Sequence, residues 1–209
     1  MRRCICVLVG VVLVVAGCRG QSFEGEIIYS NSYTSKSPGL SDDRLRVLLG
    51  DKQEYYIKRA RYRSVTNGGI VQLQVYDPVS NRVYNQRPGN DTLYWIDAAA
   101  NPDVVVSWSI RKRAETILGV LCDELSIKTN NGSVDYYYSE RYRLDSAGFR
   151  RHRFGNWDFL SSKCGALPLK SVVENGQFRM ESVAIEIRPM VLADGLFMID
   201  DKLPVKRGM

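Results

Sequence analysis

A single histidine, His152, stands among 209 residues, beside five cysteines and seven prolines. One imidazole without clustered thiolates or carboxylates excludes the usual zinc-type centres. A Ser-His-Asp site needs a nucleophile turn of the G-x-S-x-G kind, and none occurs. The glycine loop ending in Lys-Ser or Lys-Thr that cradles nucleotide phosphates is also missing. The carboxylate pairs Asp42-Asp43 and Asp200-Asp201 suit a helix N-terminus and a polar tail better than acid–base work. His152, set in "RRHRF" between arginines, reads as a surface residue. Neither metal nor cofactor is expected, and the chain reads as non-enzymatic. Beyond the first 17 residues no segment is long and apolar enough to cross a bilayer as a helix.

What is present begins at the N-terminus. Arg2 and Arg3 precede an uncharged apolar stretch from Cys4 to Ala16. Roughly 15 helical residues cover about 22 Å, short of the ~30 Å hydrocarbon core. A basic start, a short apolar run and small residues after it describe a secretory signal peptide. The other residues of a twin-arginine signal are missing, so Arg2-Arg3 is a plain charged flank. The end of the segment, Val15-Ala16-Gly17-Cys18, resembles the lipobox of bacterial lipoproteins. That resemblance implies cleavage before Cys18, residues 1–17 as signal peptide, and a diacylglycerol thioether on Cys18 that anchors the chain in membrane lipid. Arg19 stands where an aspartate favours inner-membrane retention in some bacteria, so a cell-envelope location at the outer membrane is favoured.

Removal of the first 17 of 209 residues leaves 192, enough for one domain with a sizeable core. Loss of Arg2 and Arg3 lowers the formal net charge from +6 to +4. The excess suits anionic headgroups or acidic glycans, and nucleic acid is not an expected partner outside the cytoplasm. Cys122 and Cys164 remain in a compartment that permits disulfides. A Cys122–Cys164 bridge and two separate buried thiols are both open.

Along the mature chain, residues 18–22 form a lipidated cysteine and short tether, 23–200 a single domain, and 201–209 a polar, frayed tail. "FEGEIIYSNSY" alternates apolar and polar residues with the period of a half-buried strand. "LSDDRLRVLLG" offers Ser41 as N-cap, acids in the first turn, a Leu40–Leu45 staple and Gly50 to close a short helix. From Gln53 onwards short β-branched and aromatic runs predict strands. Asn67-Gly68, Asn131-Gly132 and Asn175-Gly176 predict tight hairpins. In "QFRMESVAIEIR" the apolar parity switches midway, which predicts a bulge. Phe154, Trp157, Leu160 and Cys164 trace one stripe of a second helix ending at Gly165. The fold class is mainly β (α+β), in one domain.

Several segments in order resemble a family of secreted bacterial proteins with the LolA/LolB-like lipoprotein-carrier fold. They are "FEGEIIYS", "YYIKRARYR", "VYDPVSNRVY" with "LYWID", "ETILGVLCDEL", "LPLKSVVENGQF" and "LFMIDDKLPVK", spanning most of residues 23–205. Val120 stands where that family often has an aromatic. The resemblance implies a curved antiparallel sheet, an incomplete barrel, with short helices over its open side. It also implies a concave face that holds an apolar or acylated ligand. Val71, Leu73, Val75, Leu93 and Trp95 are the expected lining, with Phe154, Trp157 and Leu160 as a lid. An adaptor whose sheet is filled by its own side chains, and which binds another envelope protein, is the alternative. Arg59, Arg61 and Arg63 alternate with Ala60 and Tyr62, so on a strand they would share one face. That face either contacts phosphate or carboxylate groups or is simply solvated and discourages edge pairing.

Overall fold

The computed structural model describes residues 22–208, so the signal segment, the lipobox and Cys18 lie outside the described residues. The strands are β1 (Gly25–Ser35), β2 (Lys52–Lys58), β3 (Arg61–Thr66), β4 (Leu73–Asp77), β5 (Arg82–Gln86) and β6 (Leu93–Asp97). They continue as β7 (Val105–Ile117), β8 (Val120–Thr129), β9 (Gly132–Arg143), β10 (Ala166–Asn175), β11 (Phe178–Pro189) and β12 (Val205–Arg207). Two helices, α1 (Asp42–Leu49) and α2 (Trp157–Cys164), interrupt them. All twelve strands join one curved, unclosed sheet in the order β12-β6-β5-β4-β3-β2-β1-β11-β10-β9-β8-β7. Neighbours are antiparallel except β12 and β6, which run parallel. An open curved sheet with two short helices is the arrangement expected from the sequence.

The sequence signals for α1 act as expected. Ser41 Oγ accepts from the Arg44 amide at 3.1 Å, Leu45 is buried, and Gly50 closes the helix at φ 88°. The hairpins behave differently from expectation, because none of the three Asn-Gly pairs adopts positive φ. Asn67-Gly68 lies in a longer loop that folds back on α1, where Gly69 and Ile70 amides reach the Val47 and Leu48 carbonyls at 3.0 Å. A Cβ at Gly68 would stand 2.6 Å from the Leu49 carbonyl carbon, so close approach explains that glycine. Asn175 instead uses its side chain, accepting from the Gln177 and Phe178 amides at 2.8 and 3.0 Å. The turn with positive φ at both central residues is Leu118-Gly119, between β7 and β8. The parity switch in β11 is a real bulge: Ile28 pairs with Glu186 and Tyr29 with Ala184, leaving Ile185 unpaired.

Register defines the two faces. Ile27, Tyr55 and Ser64 lie across from one another, as do Ile57, Tyr62, Tyr76, Val83 and Ile96, on the inner face, where α2 packs. Leu73, Val75, Tyr84, Leu93 and Trp95 share the outer face. Val75 and Leu93 are nonetheless buried, and so are Leu192 and Phe197 from the C-terminal segment. A 3₁₀ turn at Asp194–Phe197 packs on β3 and β4, and β12 then pairs with β6 through Val205–Leu93 and Arg207–Trp95. The buried cover thus comes from residues 190–197, while in the tail expected to fray Val205–Arg207 pairs with β6 and keeps its side chains exposed.

A cleft under the second helix

The segment "RHRFGNWDFLSSKCG" builds the most elaborated part of the inner face. A 3₁₀ turn, Phe154–Asn156, leads into α2 through two left-handed residues, Gly155 and Asn156, and Gly165 ends the helix at φ 57°. Trp157 at the first turn stacks almost parallel to Tyr55, with centroids 6.3 Å apart and planes at 4°. It also lies 5.6 Å from Tyr62 and 5.3 Å from Phe149. Leu160, one turn on, is buried in a smaller cluster with Leu125, Ile127 and Tyr138, and Trp157 packs against both core clusters.

His152 is not on the surface. It is fully buried, 4.2 Å from the Tyr76 ring, with Nε2 3.0 Å from the Tyr62 hydroxyl. Its Nδ1 has no partner among the described residues. Burial pushes its pKa down to about 4, so the ring is neutral at physiological pH. The arginines on either side pointed to solvent in the sequence, and they do face it. The chain turns the imidazole between them into the aromatic core. This stack of Tyr62, Tyr76, Phe149, His152 and Trp157 fills the inner face over β3 and β4.

The open space lies on the other side of Trp157. A cavity of about 140 Å³ separates α2 from β1, β2, β9 and β10, walled by Tyr29, Tyr55, Tyr136, Trp157, Leu160 and Leu167. Gln53, Ser171 and Ser182 add polar groups to its lining. The Tyr29 hydroxyl donates to the Pro168 carbonyl at 2.8 Å, which fixes the floor. The volume is close to that of an engineered apolar cavity of about 150 Å³ that admits benzene. A volume of this size matches one ring or a short alkyl end.

Of the expected lining and lid, the structure brings Trp157 and Leu160 to the cavity. Phe154 packs against the main core from the 3₁₀ turn. Val71 lines a separate depression of about 210 Å³ beneath α1, with Leu48, Leu49 and Gln74. Leu73, Val75, Leu93 and Trp95 point to the opposite face, under the C-terminal cover. Both faces of these strands are apolar because both are covered, so apolarity could not tell inner from outer. Tyr29, Tyr55 and Leu167 were missed as lining; the alternation of Gln53, Tyr55 and Ile57 in "QEYYIK" carried the signal.

The arginine trio does not form one strip. Arg59 sits in the β2–β3 turn at φ 54°, while Arg61 and Arg63 lie on β3. Arg63 is half-buried, donates to the Leu196 carbonyl at 3.3 Å, and holds the C-terminal cover. Arg59 and Arg61 line a groove with Lys58 and Asp194. Cys122 and Cys164 are free, buried thiols in different core clusters, so the disulfide alternative is not realised in the structure. Burial raises both thiols, Cys164 to about 12. Among the described residues no group of three or more His, Cys, Asp or Glu side chains could hold a metal ion, and no helix is long and apolar enough to cross a membrane.

No protein-family model matches the chain, and no curated protein matches it. Among solved structures it is similar to PNGF-II at 13% identity and TM-score 0.48, over 90% of this chain and 31% of that one. It is also similar to LprF from Mycobacterium bovis, at 9% identity and TM-score 0.34, over 82% and 89% of the two chains. The LolA superfamily protein NE2245 from Nitrosomonas europaea gives 9% identity and TM-score 0.40, over 87% and 92%. The chain spans about a third of the length of PNGF-II and most of the length of the other two.

Proposed function

We propose that the chain is a non-enzymatic cell-envelope lipoprotein, anchored in the outer membrane through Cys18, that binds a narrow apolar or acylated ligand beneath α2. The observation that supports this most is the cavity of about 140 Å³ walled by Tyr29, Tyr55, Trp157, Leu160 and Leu167. Left-handed joints flank the eight-residue helix on both sides, at Gly155-Asn156 and at Gly165. The cleft takes a chain end.

Displacement of a fluorescent fatty acid tests the reading. The parent protein binds the probe with micromolar affinity, and Leu160→Trp, which fills the cavity, weakens binding at least tenfold while the protein stays folded. No probe binding by the parent, or equal binding by the variant, contradicts it.

An adaptor role is favoured by a different observation. The edge strand β7 exposes Val106, Trp108 and Ile110 on the α2 side of the sheet. An uncovered apolar edge of this length is a template for strand addition by another envelope protein.

A further inference from the structure

At the rim where the β4–β5 turn, the end of β6 and the 149–153 loop meet, a groove of about 510 Å³ is lined by Arg82, Arg150, Arg151 and Arg153. We propose that this groove is a binding site for a phosphate-bearing ligand, separate from the cleft under α2 and independent of the reading given to it.

Charge is the first argument. Four arginines line the groove with one carboxylate, Asp97, whose Oδ1 already accepts from the Ala99 amide at 2.8 Å, and Arg150 Nε donates to the Ala147 carbonyl at 3.2 Å. Among the described residues none of the four arginines has a carboxylate within salt-bridge distance. Some cations elsewhere pair, Arg111 with Glu124 at 2.6 Å, Lys112 with Asp123 at 2.7 Å and Arg188 with Glu26 at 2.9 Å, whereas these four line one groove without such a partner. Convergent unpaired like charges repel, and a bound anion removes that repulsion.

Rigidity is the second. Burial of His152 forces Arg151 and Arg153 outward on either side of it. The buried Asn81 amide donates to the Arg151 carbonyl at 3.1 Å, while its Oδ1 accepts from the Tyr76 hydroxyl at 3.0 Å. The Arg153 and Phe154 amides both donate to the Ala98 carbonyl, at 2.7 and 2.9 Å. The loop backbone is thus pinned to β4, β5 and β6 from both sides. Arg82 lies flat on the Trp95 ring at 3.8 Å, which orients its fork. Backbones and one fork are held before ligand arrives, which leaves the exposed Arg150, Arg151 and Arg153 side chains to be ordered on binding.

Chemistry selects the ligand. Guanidinium forks match phosphate oxygens two at a time. Four of them exceed what one carboxylate neutralises, so the site fits an anionic phosphate, whether a monoanionic diester or a more highly charged phosphate. A phospholipid headgroup and a free phosphate compound both supply that chemistry.

Calorimetric titration of the full chain in non-ionic detergent at low ionic strength tests the site, with pyrophosphate in one arm. Dihexanoyl-phosphatidylglycerol and dihexanoyl-phosphatidylcholine, as monomers, form the other arm. Submillimolar pyrophosphate binding that falls at least tenfold in the Arg82→Gln/Arg151→Gln/Arg153→Gln variant supports the site and a free phosphate source. Binding of phosphatidylglycerol alone, lost in the same variant, supports it with a lipid headgroup as source. If the variant unfolds, the Nε resonances of the parent decide: those of the four groove arginines shift with ligand and those of Arg111 and Arg188 do not. Binding of neither probe, or binding undiminished in a folded variant, overturns the proposal. Fatty-acid binding under α2 is unchanged by the triple substitution, so the two sites succeed or fail separately.

Discussion

His152 ties stability to pH because the folded state takes up its proton only at a lower pH than the unfolded chain does. Its neighbours are the Tyr62 and Tyr76 rings, Phe149 and Trp157, none of which stabilises an imidazolium by charge. The folded pKa of about 4 lies below the ordinary 6.5. Above pH 6.5 both folded and unfolded states hold the ring neutral, and nothing is lost. As the pH falls from 6.5 towards 4 the unfolded state takes up a proton and the folded state does not, so stability declines, and it levels off below about 4. The full shift corresponds to a loss on the order of 3 kcal/mol. Urea unfolding between pH 7 and pH 4 should show this decline, and His152→Phe should flatten it; an equal slope in the variant would assign the pH dependence to other groups. The buried position was illegible in "RRHRF", because the signal for burial lay in Tyr62 and Tyr76 on strands some 90 and 76 residues earlier in the chain.

Among the elements, those with local causes were read correctly. Helix α1 carries its cap, its acidic first turn and its closing glycine within ten residues, and α2 carries its apolar stripe and Gly165. The bulge in β11 showed as a parity switch. What failed depended on partners far along the chain: which strand face is inner, and that residues 190–197 cover the outer one. Asn-Gly pairs misled because these asparagines use side-chain hydrogen bonds or close contacts in place of positive φ. The cavity beneath α2 sets up a comparison of two leucines. Leu169 is completely buried in the main cluster, and Leu169→Ala should cost about 3–5 kcal/mol by opening a void in packed core. Leu160 already borders empty space, so Leu160→Ala should cost about 2–3 kcal/mol. Chemical denaturation of both variants measures the difference, and a Leu160 penalty equal to or above that of Leu169 would mean the cleft is ordinary core.

At the scale of the whole molecule, an N-terminal anchor at Cys18 would place a curved sheet at the membrane with its cleft and its arginine rim as separate features. Cys18→Ser should leave thermal unfolding of the domain unchanged and move the protein from the membrane fraction to the soluble fraction. Retention in the membrane fraction would remove the lipoprotein reading without touching the cleft. The central claim is that a ligand occupies the space beneath α2. Native mass spectrometry of the Cys18→Ser protein, purified from envelope extracts without denaturation, tests it most directly. A bound species of lipid or fatty-acid mass is expected, one that dissociates on activation and is absent from Leu160→Trp. A parent protein that flies only at its bare polypeptide mass, or a Leu160→Trp protein that carries the same adduct, would contradict it.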